Sequence, residues 1–137
     1  MRLKDPGKGK KGKRLKPHEV SSSKVNYDLE APVFSLQNIQ KSHCLSKCER
    51  NEKAAFADTM HQLSSLLWRD IKRSGRHHLG YEKINRDSLK KPVPENVPED
   101  ANVIAFRFCD KAPMVGYRDK ATFHVIWLDR DFSLYNH

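Results

Sequence analysis

Eight polar residues crowd the last third of the chain: Arg107, Lys111, Arg118, His124, Asp129, Arg130, Tyr135 and His137. Guanidinium and imidazole groups on one surface attract a phosphate backbone and stabilise charge that develops on it. An imidazole moves a proton near neutral pH, and a phenol orients or stacks on a base. The set reads as a site for phosphodiester chemistry, with Arg107, Arg130, Tyr135, His137 and His124 as its candidate catalytic groups. The plainer reading is a polar sheet face in water.

A second group is "SGRHHLGYEK", where Arg76, His77, His78 and Tyr81 follow a helix. These side chains suit RNA binding through phosphate pairing and base stacking, and they also suit acid–base work. The competing reading is a solvated loop anchored by Leu79 and Tyr81. A third group, His43, Cys44, Cys48 and Cys109, has ligand types for zinc but no paired second knuckle. Free thiols are the reading adopted, with no metal and no cofactor expected. P-loop, dinucleotide, nucleophile-elbow and HExxH patterns are all missing.

Charge is concentrated at one end. Lys and Arg outnumber Asp and Glu by 26 to 17, a formal +9, and residues 1–24 alone hold nine basic and two acidic side chains. Lys10, Lys11, Lys13, Arg14, Lys111 and Arg118 are the expected phosphate contacts. Residues 1–31 are rich in Gly, Lys, Pro and Ser, so they read as a disordered basic arm. They either grip nucleic acid or keep the chain soluble. No apolar run spans a bilayer or follows the basic start as in a secretory signal. With three cysteines and no disulfide framework, a cytoplasmic protein is expected.

The elements that must position these groups lie in a single domain over 32–137. "VFSLQNI" (Val33–Ile39) reads as a first strand. Phe56, Met60, Leu63, Leu67 and Ile71 recur at helical spacing. Asn51 is the expected N-cap, and Ser64-Ser65 divides the region into one or two helices, with Ser65 capping the second. Gly75 is the expected stop. "KKPVPENVPED" must be an extended surface connection. Three strands follow, Asn102–Phe108, Ala112–Arg118 and Thr122–Leu128, with Phe132–Tyr135 as a short fourth. Alternation puts Phe123, Val125 and Trp127 on one face and His124, Ile126 and Leu128 on the other. Arg107 points away from the face of Phe106 and Phe108. The expected class is α+β: a strand, one or two helices, then a three- to four-stranded antiparallel meander with one open face.

That order, with "VIAFRF", "PMVGYR" and "TFHVIWLDRD", resembles the RelE-like toxins of bacterial toxin–antitoxin pairs over about residues 33–137. The last stretch also resembles a set of uncharacterised small prokaryotic proteins. The toxin resemblance implies a metal-independent endoribonuclease that cleaves messenger RNA, often on the ribosome, and is silenced by a partner antitoxin. It implies that the ribose 2′-hydroxyl attacks and a 2′,3′-cyclic phosphate forms. Arg107 and Arg130 would then stabilise the phosphorane, His124 or His137 would move the proton, and Tyr135 would orient a base. One departure is Met114, where the family commonly has a basic residue. The alternative is a non-catalytic RNA- or ribosome-binding protein that works through its basic arm.

Overall fold

The computed structural model of the chain describes residues 25–74 and 79–136. Its strands are β1 (Val33–Ser35), β2 (Glu82–Ile84), β3 (Val103–Cys109), β4 (Ala112–Asp119) and β5 (Thr122–Leu128). They form one sheet in the order β1-β5-β4-β3-β2. The β2–β3, β3–β4 and β4–β5 pairs are antiparallel, and β1 lies parallel to β5. The class is α+β with a mixed five-stranded sheet. Two-residue turns at Asp110-Lys111 and Lys120-Ala121 join the last three strands, with Asp110 and Lys120 at φ 52° and 59°. A positive first φ suits the twist of such hairpins.

Two helices separate β1 from β2: α1 (Arg50–Ser64) and α2 (Trp68–Arg73). The N-cap of α1 is Glu49 rather than Asn51. Its backbone N–H donates to Glu52 Oε1 at 2.6 Å, and its carboxylate accepts from the Glu52 backbone in return. This reciprocal pair satisfies two end-of-helix donors. Ser65 ends α1 instead of starting α2, with its hydroxyl donating to the Gln62 carbonyl at 2.7 Å. The break at the serine pair is real, and α2 begins after Leu67.

One face of the sheet packs on the helices. Leu63, Trp68, Ile71, Phe106, Met114 and Phe123 are its largest buried members. The aromatic rings meet edge-on, as with Phe106 and Phe123 at 5.1 Å, the arrangement that ring quadrupoles favour. Met114 is fully buried here, so a basic residue at that position would be desolvated.

The other face is not open, as the alternation suggested. The connection 85–101 runs across it, with Val97 only 4% exposed and Leu89, Val93 and Ala101 packed beside it. Leu134 and Tyr135 close the same layer. The reason is in the strands. Val103, Ala105, Val115, Tyr117, Ile126 and Trp127 are apolar on this side too, and a sheet apolar on both faces must be covered on both. A bulge adds to the difference. Gly116 pairs with Val125 and Val115 with Trp127, leaving Ile126 extra. Trp127 is thereby moved off the face of Phe123 and Val125, and Leu128 joins that face. Gly116 sits where the strands press closest, because a Cβ there would run into the His124 carbonyl.

Two short segments also differ from the reading. Glu82–Ile84 is an edge strand, and Phe132–Tyr135 is a turn, not a strand. Residues 25–31 include a turn, Tyr27–Leu29, that packs on α2: the Trp68 N–H donates to the Glu30 carbonyl at 2.9 Å.

Candidate functional site: a cation-rimmed cleft

The cleft forms where β5 runs out. The Asp129 N–H donates to the Pro113 carbonyl at 2.9 Å, which ties the strand's end to β4. The Asp129 side chain is wholly buried. Its carboxylate accepts the backbone N–H of Ser133 at 2.9 Å and of Leu134 at 3.0 Å. These bonds curl residues 129–134 into a tight turn. They bring Ser133 over Asp129 and leave Asp131 on the rim.

His43 arrives from the opposite side on the short helical turn Lys41–His43. The Gln40 N–H donates to the Ile126 carbonyl at 2.8 Å, so β5 fixes the position of this turn. The imidazole is 8% exposed. Its Nδ1 lies 2.8 Å from Ser42 Oγ, and its Nε2 lies 3.3 Å from Ser133 Oγ and 3.7 Å from Asp129 Oδ1. The Lys90 N–H donates to the Leu134 carbonyl at 2.8 Å, which places Lys90 and Lys91 on the third side. Lys47 and Arg130 complete the wall around a cleft of about 620 Å³.

Arg130 is held rather than loose. Its Nε donates to Glu52 Oε1 at 2.7 Å and its Nη2 to Glu49 Oε2 at 3.3 Å. The N-terminus of α1 therefore anchors one wall. The Glu49 N–H and the Arg130 guanidinium together hold the Glu52 carboxyl below its usual pKa. The Ser133 hydroxyl, donating at 2.8 Å, does the same for Asp131. Phe132, 43% exposed and at φ 57°, stands on the other side of Arg130, in a neighbouring depression with Glu52, Cys109 and Lys111. Positive φ on a bulky residue stores strain of roughly 1–3 kcal/mol, and strain of this kind gathers at functional sites.

The expected site residues are scattered by the fold. Arg130 lines the cleft, but Tyr135 is buried in the second core layer beside Leu134. Arg107 is half-buried and donates to the Lys111 carbonyl at 3.1 Å across its hairpin. His124 stacks on Tyr117 with ring centroids 4.7 Å apart, and its Nδ1 is buried without a hydrogen-bond partner. Arg118 lies at the far end of the sheet, paired with Asp28 at 2.9 Å and stacked 4.3 Å over Trp68. Tyr81 packs edge-on against Phe106 in the helix-side core. Arg107 and His124 fall on the second sheet face by alternation, but 85–101 and the C-terminal turn cover that face, and Arg130 lies beyond the end of β5. Lys10, Lys11, Lys13, Arg14, Arg76, His77, His78 and His137 lie outside the described residues. Cys44, Cys48 and Cys109 are free thiols.

His43, Ser133, Lys47, Lys90 and Lys91 were missed as site residues. His43 drew notice only beside the cysteines, and Lys90-Lys91 only as the start of a proline-rich connection. Among the described residues no helix is long and apolar enough to cross a membrane. Comparison with known proteins gives no match to a protein family, a curated protein or a solved structure.

Proposed function

We propose that the protein binds RNA, with the cleft at the end of β5 taking the phosphate backbone. The observation that carries this reading is the rim: Lys47, Lys90, Lys91 and Arg130 surround one depression. Clustered cations on a groove are the electrostatic footprint of a polyanion site. Exposed Phe132, across Arg130 from the cleft, supplies a ring on which the next base can stack, so a single strand is favoured over a duplex. The basic arm adds reach and a long-range attraction, and the ribosome is a natural place for such an RNA.

The second reading is a RelE-like endoribonuclease held in check by an antitoxin. What favours it is the order of elements, a strand, two helices and three paired strands, together with an imidazole on the cleft floor. In that reading His43, beside Ser133, moves the proton, and Arg130 and the lysines carry the phosphorane charge. The centre of reaction would lie in the cleft, not on the sheet face.

The test uses the full chain and a labelled single-stranded RNA, followed by anisotropy and by gel. Lys90→Glu with Lys91→Glu is expected to weaken binding roughly 10- to 100-fold and to flatten the salt dependence by about 1.4 log units per log unit, two single-strand phosphates' worth. Binding equal to wild type would sink the cleft as the RNA site. RNA cleaved by wild type and spared by His43→Gln selects the second reading.

A further inference from the structure

The buried floor of the cleft and the Asp131 corner of its rim differ in sign from the lysine-lined walls. His43, Asp129 and Asp131 each offer one ligand atom, and these atoms lie within 4.8 Å of one another. Ser133 Oγ sits among them, 3.3 Å from His43 Nε2, 3.3 Å from Asp129 Oδ1 and 2.8 Å from Asp131 Oδ1. We propose that His43, Asp129 and Asp131, with Ser133 Oγ, bind a divalent cation of the Mn²⁺ type, whose open positions face an RNA phosphate in the cleft.

The distances suit it. Six-coordinate bonds of about 2.1 Å put ligands about 3.0 Å apart along an edge and about 4.2 Å across the octahedron. His43 Nε2 and Asp129 Oδ1, at 3.7 Å, fall between the two. The hydroxyl of Ser133 has a single hydrogen and cannot donate to both carboxylates it touches. Both carboxylates already accept hydrogen bonds, and a cation would draw on their remaining lone pairs together with that of Ser133 Oγ.

The ligands are also preorganised. Backbone N–H groups of Ser133 and Leu134 fix both oxygens of Asp129. Ser42 Oγ meets the far nitrogen of His43 at 2.8 Å. A metal-bound imidazole needs such an outer partner to hold its tautomer and its orientation. Arg130, whose guanidinium lines the cleft, is turned to Glu49 and Glu52 rather than to these carboxylates. The lysines on the wall remain for the phosphate, and a cation on the floor would share its charge with them. One nitrogen among oxygen ligands suits Mn²⁺, whereas zinc would also be drawn to the free thiols.

The bridging role rests on the RNA reading above, whereas the cation site itself does not. It departs from the metal-free chemistry that the toxin resemblance implies. The experiment titrates Mn²⁺ into the full chain without RNA and follows loss of the free-ion EPR signal. One ion per chain is expected, with Asp131→Asn weakening it about tenfold or more. Asp131 is exposed, so that variant should fold, which circular dichroism checks; His43→Gln is the second variant. No binding, or Asp131→Asn and His43→Gln both binding like wild type, overturns the site. RNA affinity is then measured with Mn²⁺ and with EDTA. Tighter RNA binding with Mn²⁺ supports the bridge, and equal affinity in both overturns it. RNA bound by a chain that takes no Mn²⁺ sinks this inference and spares the cleft reading. Mn²⁺ bound by a chain that takes no RNA does the reverse.

Discussion

The two ends of the sheet use the same parts differently. At each end an arginine at or just past the end of a strand reaches a carboxylate. Arg118 pairs with Asp28, which Lys72 also meets at 2.8 Å, and its guanidinium lies over the Trp68 ring. Charge and ring are consumed by one another, and the result is a lock joining residues 27–29, α2 and β4. Arg130 pairs with Glu49 and Glu52, but around it stand Lys47, Lys90 and Lys91 over a cleft. That end keeps positive charge facing solvent. An arginine's role is thus set by what its neighbours leave over, which spacing along the chain does not reveal.

The sharpest way to break the comparison is at the locked end. Trp68 is fully buried, and its Nε1–H donates to the Ala121 carbonyl at 2.9 Å. Trp68→Ala should lower unfolding free energy by about 3–5 kcal/mol, as cavity-forming changes at large aromatics do. Urea denaturation measures it. Below its lowered melting point the variant should bind RNA like wild type. A loss of RNA affinity with the fold intact would mean the lock is itself part of the site.

Charge reversal separates the ends next. Lys90→Glu with Lys91→Glu should weaken RNA binding as above while changing stability by within about 0.5 kcal/mol, the usual range for surface substitutions. Lys72→Glu, placed against Asp28, should do the opposite. It should lower stability by up to about 1 kcal/mol and leave RNA affinity alone. Equal effects of the two changes on RNA would turn the open and locked ends into one continuous basic surface.

How much of this was legible follows from which forces are local. The helix stripe Phe56–Leu63–Ile71 and the apolar strands were readable, because burial imposes a period on the sequence. The capping box was not. Glu49 is an unusual N-cap, and Asn51 looked better two residues on. The cover over the second sheet face was hidden by the three prolines of "KKPVPENVPED", which read as surface although Val97 goes inside. The bulge at Ile126 overturned the face of Trp127, since one extra residue reverses every later side chain. The site itself depends on contacts such as His43–Ser133, ninety residues apart, and no local pattern encodes them. Among the described residues, Arg130 and Asp129 were both foreseen in the polar set and found at the cleft.

Phe132 tests the open end without touching its charge. Phe132→Gly removes the ring and relieves the positive φ at once. Stability should hold or rise slightly. RNA affinity should fall about fivefold or more, the lower range for one lost base–aromatic stack. Anisotropy and a thermal melt on the same sample read both. Unchanged affinity would reduce Phe132 to a turn residue and leave the cations to bind alone.

The smallest effect expected concerns acid. The Glu52 carboxyl is held below its ordinary 4.5 by the Glu49 N–H first and by Arg130, and Asp28 is held below 3.8 by Lys72 and Arg118. A depressed folded pKa means that the folded state binds fewer protons than the unfolded one. The stabilisation is therefore fully present above the ordinary value and is lost as pH falls through the lower, folded one. The open end should begin to weaken below about pH 4.5, and the locked end below about pH 3.8, by the same linkage. Glu52→Gln should cost a fraction of a kcal/mol at neutral pH, and this difference should shrink on acidification, as expected for half-exposed pairs. Asp28→Asn should behave alike but over the lower window. Urea midpoints measured from pH 7 down to pH 3 decide it. A gap between variant and wild type that stays constant with pH would show that Glu52 acts through its cap geometry alone, and that Arg130 is held in place by packing, not by charge.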